Sequence, residues 1–325
     1  MKKNLIDLFA AATTVVALTG CGGGGSGGTV AATGNPPPAP SPAPAGRQPV
    51  TSVPTPTYLA GSFQLNAFNR INAIRGSVGL GLFTQNAALD GSAQAHAGYV
   101  TSNGIGNGHI ETAGQAGFTG VNPNDRMVAA AYSTAYTGWA EDMAFTPDGA
   151  TTVDNLVDAV YHRIPLLQYK IRDIGVGFVQ TSTNPNPPSV FDLAFTGTGQ
   201  GAPALTTVVW PADTSTTTSV SMPSESPRPG TPGASGVFGY PVSISADEDR
   251  ILSVTTFTLT DSSGTAVLCN LLSYATDPEL IALSAKAFIA LVPRDPLKPA
   301  TVYTVQFVGL LDGASYSKSW SFRTP

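Results

Sequence analysis

Apolar residues recur at three- and four-residue steps from Ser62 onward. Ala67, Phe68, Ile71 and Ile74 form one stripe that Gly76, Gly79 and Gly81 interrupt, which predicts an amphipathic helix. A second stripe, Leu89, Ala93, His96 and Ala97, predicts a helix from about Gln85 to Val100, closed by the loop Gly104-Ile105-Gly106-Asn107-Gly108. Pro123 to about Ala131 reads as a third, short helix, with proline early, where its missing N–H costs little. Thr151-Thr152-Val153-Asp154 has the form of a capping box that opens a fourth helix. That helix is expected to end near Arg163, because Pro165 disfavours helical geometry at Ile164. The period then shortens to two. Ile174–Gln180 and Val190–Thr196 read as strands joined by Asn184-Pro185-Asn186-Pro187-Pro188. Helices followed by a hairpin predict a layered α/β or α+β domain over 58–200.

The pattern changes again after Gly201. Thr214–Ser221 and the Pro/Gly-rich Pro223–Gly236 read as a linker over 201–236. Beyond it, Thr255–Thr260, Ala266–Cys269, Ala287–Val292, Thr301–Val308 and Lys318–Phe322 are short strand-like runs separated by turns. They predict an all-β sandwich over 237–325. At the other end, Lys2 and Lys3 precede a mostly apolar stretch, Leu5–Leu18, that Asp7 interrupts. It is short of the roughly 20 residues a spanning helix needs and reads as an export signal over 1–21. Its close, Leu18-Thr19-Gly20-Cys21, resembles the lipobox of bacterial lipoproteins at all four positions. The resemblance implies that Cys21 becomes a lipidated N-terminus and makes the membrane a partner, each buried CH₂ contributing about 0.8 kcal/mol. An ordinary secretory signal with an incidental cysteine is the alternative. Residues 22–57, with GGGGSGG, PPPAPSPAPAG and Arg47 as the one charge, read as a disordered tether.

Composition narrows the function classes. A chain of 325 residues fits two domains at roughly 150 residues each. Charged residues are 11%, against a usual ~25%, and hydrophobic residues 42%, which excludes a chain disordered throughout. A net charge of -5 argues against a nucleic-acid partner. Two cysteines exclude a disulfide scaffold, and Cys269 reads as a small buried hydrophobe. There is no Gly-x-Ser-x-Gly elbow and no Gly-Lys-Ser/Thr phosphate loop, so neither a serine-hydrolase elbow nor nucleotide hydrolysis has support.

The candidate chemistry lies in the first domain. It holds all three histidines, His96, His109 and His162, with Glu111, Glu141, Asp142 and Asp158 as acidic neighbours. Imidazole and carboxylate are the ligands that suit zinc, and histidine is the side chain suited to proton transfer near neutral pH. Their spacings match no compact motif, so a site must be assembled by folding. Each residue also has a plain structural reading. His96 sits on an apolar helix face and reads as core. His109 serves either a cavity or a loop contact. Glu141, between Trp139 and Met143, requires a partner if buried. His162 at a helix end is explained by charge–dipole attraction alone. Asp125-Arg126 reads as an ion pair or helix start, and Tyr132, Trp139, Phe145 and Tyr161 as core or cavity walls.

Several segments in register resemble one family. Asn69-Arg70-Ile71-Asn72-Ala73-Ile74-Arg75, Asn86-Ala87-Ala88-Leu89, Ala93-Gln94-Ala95-His96-Ala97, Gly108-His109, Pro123-x-Asp125-Arg126, Trp139-Ala140-Glu141-Asp142-Met143, His162-Arg163 and Ile174-Gly175-Val176-Gly177 are similar to bacterial CAP domains. This is the superfamily of cysteine-rich secretory proteins, antigen 5 and pathogenesis-related 1 proteins, and the likeness spans about 62–197. It implies a three-layer α/β/α sandwich. It also implies a cavity of two histidines and two glutamates able to bind a divalent metal such as zinc, with a lipid-holding groove in some members. By correspondence, His109, Glu141 and His162 are the ligand-binding residues, the metal ligands and, in an enzyme, the catalytic residues. The second glutamate has no counterpart: Ala159 falls near its place, Asp158 points elsewhere, and Asp142 replaces the usual Asn. Further on, Pro296-Leu297-Lys298-Pro299-Ala300-Thr301-Val302-Tyr303-Thr304-Val305 and Trp320-Ser321-Phe322-Arg323-Thr324 resemble bacterial Ig-like domains over 238–325. The resulting expectation is an exported envelope lipoprotein, in the outer membrane because Gly22 carries no inner-membrane retention signal, facing the periplasm or the outside. Three functions follow: a module binding a small ligand or envelope component, a metal- or His/Glu-dependent hydrolase, or a surface adhesin.

Overall fold

The computed structural model describes residues 47–105, 108–133, 136–201 and 206–325. Cys21, the export signal and most of the expected tether lie outside them. The first unit runs α1 (Phe63–Ser77), β1 (Thr84–Gln85), α2 (Ala87–Asn103), α3 (Pro123–Ala129), β2 (Tyr136–Phe145), α4 (Gly149–Asp158), α5 (Arg163–Leu166), β3 (Asp173–Phe178) and β4 (Pro188–Thr196). Local chemistry fixes the helix ends. Ser62 Oγ accepts from the Leu65 N–H, and Asn86 Oδ1 from those of Ala88 and Leu89. Gly104, at φ 61°, turns the chain out of α2. Asn122 and Asp125 form a reciprocal capping box on α3.

The fourth helix differs from its expectation. Asp148, not Thr151, caps it, and it ends at Asp158 rather than near Arg163. The N–H groups of Val160 and Tyr161 are captured by the carboxylate of Glu225, at 3.1 and 3.0 Å, instead of by carbonyls of the preceding turn. A new short helix then starts at Arg163, and Pro165 is tolerated because it lies in that first turn. His162 therefore stands at a helix start, so the expected attraction to a helix C-terminus does not apply.

The four strands order as β1-β3-β4-β2, antiparallel except β1 with β3, with β2 at a free edge. Alternation along β4 sorts the two faces. Phe191, Leu193 and Phe195 meet α1 and α4 through Ala67, Phe68, Ile71, Val153 and Leu156. Val190 and Ala194 face the other way, toward Ala93, Ala97, Leu89 and Met127 of α2 and α3. Helices thus cover both faces. Gly175 and Gly177 make this possible, since a Cβ at either would collide with the α2 backbone at Leu89–Asp90 or Ala93–Gln94.

The second unit comprises β5 (Thr207–Trp210), β6 (Val242–Ala246), β7 (Leu252–Asp261), β8 (Cys269–Ser273), α6 (Pro278–Ala282), β9 (Phe288–Pro293), β10 (Val302–Leu311) and β11 (Ala314–Arg323). They form antiparallel sheets ordered β5-β6-β9-β8 and β11-β10-β7. Val242, Ile244, Ile289 and Leu291 share one apolar core with Leu259, Val305, Phe307, Trp320 and Phe322. The run expected at Ala266–Cys269 is displaced: the strand starts at Cys269. Cys269 itself is half-buried, and burial pushes its thiol up to about 12, which leaves it inert at neutral pH.

Two boundaries also move. Arg47 pairs with Asp247 and Asp249 at 2.9 and 2.6 Å, and Val50 exchanges hydrogen bonds with Leu82 and Gln200, so residues 47–57 begin the folded part. The expected linker 201–236 contains the edge strand β5 and buried Met222, and it is part of the second unit. The two units share a core in which Val160, Tyr161 and Ile164 meet Met222, Phe238, Leu280 and Leu283. Arg163, fully buried, donates to Pro241 O and Ser243 Oγ. Tyr161 donates to Asp277, Tyr240 donates to Asp158, and Glu248 accepts the N–H groups of Tyr169 and Lys170. No helix among the described residues is long and apolar enough to cross a membrane.

Candidate functional site

The free edge of β2 carries Glu141 and Asp142 side by side, and consecutive strand residues project to opposite faces. A cavity of about 30 Å³ spans this edge. The first unit lines it with His109, Glu141, Asp142, Tyr161 and His162, and the second with Ser226, Pro227, Glu279 and Leu283. The structure thus brings His109, Glu141 and His162 to one hollow, as the fold was expected to do. It also walls that hollow with residues more than sixty positions further along the chain. The imidazoles remain reachable, since 11% of His109 and 22% of His162 is exposed.

On one face, His109 Nδ1 lies 2.7 Å from Glu141 Oε1. Arg126 donates to Glu141 Oε2 at 2.6 Å and to the His109 carbonyl at 2.9 Å, fixing both members of the pair. Burial alone would raise the Glu141 carboxyl. Arg126, His109 and His96 outweigh it and hold the group well below the usual carboxylate range. His96 is fully buried and touches no solvent. Its Nδ1 meets Glu111 Oε1 at 2.9 Å and its Nε2 the Gly108 carbonyl at 3.0 Å, so it anchors the turn that presents His109. Directly across from Glu141 in the β2–β4 register sits Asp192, fully buried. Burial, and after it the Glu141 charge, push its carboxyl up from the usual carboxylate range.

On the other face, His162 Nδ1 meets Asp142 Oδ1 at 2.9 Å. Burial would lower this imidazole, but the hydrogen bond and charge of Asp142, with Glu225 behind, raise it above 6.5. Glu225 is in turn raised by burial, against the pull of His162 and the two backbone N–H groups it accepts. Asp142 Oδ2 is buried without a hydrogen-bond partner.

The donor set is spent in part on contacts within the protein. Both oxygens of Glu141 are engaged, one by a buried guanidinium, whereas each cavity histidine is oriented by a carboxylate at Nδ1, as metal-ligating histidines commonly are, and keeps Nε2 free. Among the described residues no three His, Cys, Asp or Glu side chains converge as ligands, and zinc needs at least three from the protein. What the arrangement offers instead is two ring Nε2 atoms, each oriented from behind by a carboxylate, and an orphaned carboxylate oxygen.

Residues 68–196 match the Cysteine-rich secretory protein family, CAP, and form a CAP domain. Two similar solved structures are an extracellular protein containing an SCP domain from Bacillus anthracis and an outer surface protein of Borrelia burgdorferi. The first is 18% identical with a TM-score of 0.35, over 41% of this chain and 40% of that one. The second is 17% identical with a TM-score of 0.35, over 40% of this chain and 90% of that one. The chain thus spans less than half the length of the first. Among curated proteins, none matches the chain.

Three residues that matter to the site, Asp192, Glu225 and Glu279, escaped the sequence reading, and a fourth, Arg126, was read there as an ion pair or helix start without its partner Glu141. Two of them left a signal. Asp192 interrupts the apolar run Val190-Phe191-Leu193-Ala194, and Glu141 demanded a cation that so few charges could supply.

Proposed function

We propose that this chain is an exported bacterial envelope protein, lipid-anchored at Cys21, whose CAP domain binds a small ligand between His109, Glu141 and His162. The lipobox-like Leu18-Thr19-Gly20-Cys21 supports the anchor, and the Pro296–Val305 segment supports an Ig-like reading of the second unit. The observation that carries the binding reading is the convergence of two histidine–carboxylate pairs on one cavity. At about 30 Å³ the hollow admits a water-sized group, so it holds the head of a ligand whose body lies outside. The chain has three histidines, so imidazole NMR resonances report the site with little overlap. Adding N-acetylglucosamine oligomers or muropeptides is expected to shift His109 and His162 and to leave His96 in place. Shifts that persist in a His109→Ala/His162→Ala double variant, at some other reporter, would place binding elsewhere.

A hydrolase acting on an envelope or host substrate is the second reading. The Asp142–His162 pair favours it, because a carboxylate on Nδ1 presets Nε2 as a proton acceptor. Turnover of a peptidoglycan or peptide substrate that disappears in His162→Ala, in a protein that still folds, is the result this reading requires.

A further inference from the structure

Three features of the cavity are unexplained by a neutral ligand. The first is Asp142, a residue of the cavity wall whose Oδ2 is a buried acceptor without a hydrogen-bond partner. Buried carboxylate oxygens in native proteins almost always have a donor, and no described residue supplies one to this oxygen. The second is the charge balance. Glu141 is matched by Arg126 and Asp142 by His162, but Glu279, half-buried on the opposite wall, has no cationic partner among the described residues. Asp277 stands beside it and Glu225 lies behind His162, so the walls carry an excess of acid. The third is size: about 30 Å³ is room for one compact polar head.

We propose that the cavity is a composite site for a primary ammonium group, seated between Asp142 of the CAP domain and Glu279 of the second unit. An ammonium is a compact point charge with three N–H donors and no acceptor. It fits a hollow with the carboxylates of Asp142 and Glu279 in its walls, and its bonds to carboxylates are the strong, charge-assisted kind. Pro227 and Leu283 close the apolar side of the same hollow, where the first carbons of an alkylamine lie. The second unit is then part of the binding site and not a spacer. This inference rests on the reading of the cavity as a ligand site and names the class of ligand.

The test uses the full chain with methylammonium chloride as probe, followed through the His109 and His162 imidazole resonances. Sodium chloride at equal ionic strength and tetramethylammonium, which has the charge but no N–H, serve as controls. Saturable shifts with methylammonium alone are expected. Glu279→Gln and Asp142→Asn should each weaken the binding by about tenfold, the worth of one charge-assisted hydrogen bond. Glu279 is half-buried and caps no element, so its variant keeps the protein folded if the deeper one does not. Glucosamine and glycinamide present the same group on a sugar and on a peptide, and the tighter of the two names the source. Equal shifts with tetramethylammonium, or none with methylammonium, overturn the proposal. So does a response to zinc chloride in place of methylammonium. If a neutral sugar oligomer moves the same two resonances while the amines do not, the ligand site stands and the ammonium reading falls.

Discussion

Two histidine–carboxylate pairs stand on the same strand edge, yet they are supported in different ways. His109–Glu141 is backed from within the CAP domain. Arg126 neutralises the carboxylate, His96 and Glu111 pin the turn, and Asp192 lies buried beneath with its carboxyl pushed up by burial and by Glu141. His162–Asp142 is backed across the boundary between units. Glu225 holds the backbone of residues 160–161 and adds negative charge near the imidazole. The first pair is therefore a property of one domain and the second a property of the whole chain. A search confined to one domain would find half of the site.

The comparison can be broken at its strongest point first. Arg126→Met leaves Glu141 buried without its cation. Removing one partner of a buried pair costs about 3–5 kcal/mol, so denaturant unfolding should show a loss of that size. A loss under about 1 kcal/mol would mean that the network on that face carries little. Glu225→Gln comes next. It keeps one acceptor for two N–H groups and removes the charge, which should cost about 1–3 kcal/mol and loosen the two units together.

The pH dependence sharpens the contrast. His162 is raised above 6.5 in the folded chain, so its contribution is complete below that value and is lost as pH rises through the folded value. Glu248, which clasps the Tyr169 and Lys170 N–H groups from the second unit, behaves with the same sign. Burial first, and Asp247 second, push it from 4.5 up to about 7, so its contribution is full below 4.5 and fades as pH rises through about 7. Urea midpoints should therefore fall across that window, and Glu248→Gln should flatten the slope. Glu141 runs the other way. Its lowered carboxyl stabilises the fold at all pH values above its unfolded range and fails only in strong acid. The smallest effect belongs to Glu279→Gln. The side chain has no partner to lose, so stability should stay within about 0.5 kcal/mol.

Much of the CAP unit was legible because its helices announce themselves by stripe and cap. Ser62, Asn86 and Asn122 sit where their side chains satisfy free N–H groups, and Ala67-Phe68-Ile71-Ile74 is buried as one face. The fourth helix misled because a capping-box pattern at Thr151 competed with the working cap at Asp148, and because its end is set by Glu225, 64–65 residues away. Distance in sequence also hid Ser226, Pro227 and Glu279, since no local pattern ties a proline-rich stretch or a later helix to an imidazole. Asp142 was visible as an acidic neighbour of the histidines and as a departure from an expected Asn. Its role depends on His162, 20 residues on, reaching back across the sheet edge. Arg126 was visible as a helix-start residue, but its guanidinium is fully buried and turned toward Glu141.

The claim that the second unit completes the site is tested most directly by titrating the three imidazoles by NMR in the native chain and in Glu225→Gln. The account predicts that the His162 midpoint falls in the variant, because Glu225 is one of the charges that raise it, while the His109 resonance stays in place. An unchanged His162 midpoint, or equal movement of both histidines, would contradict it.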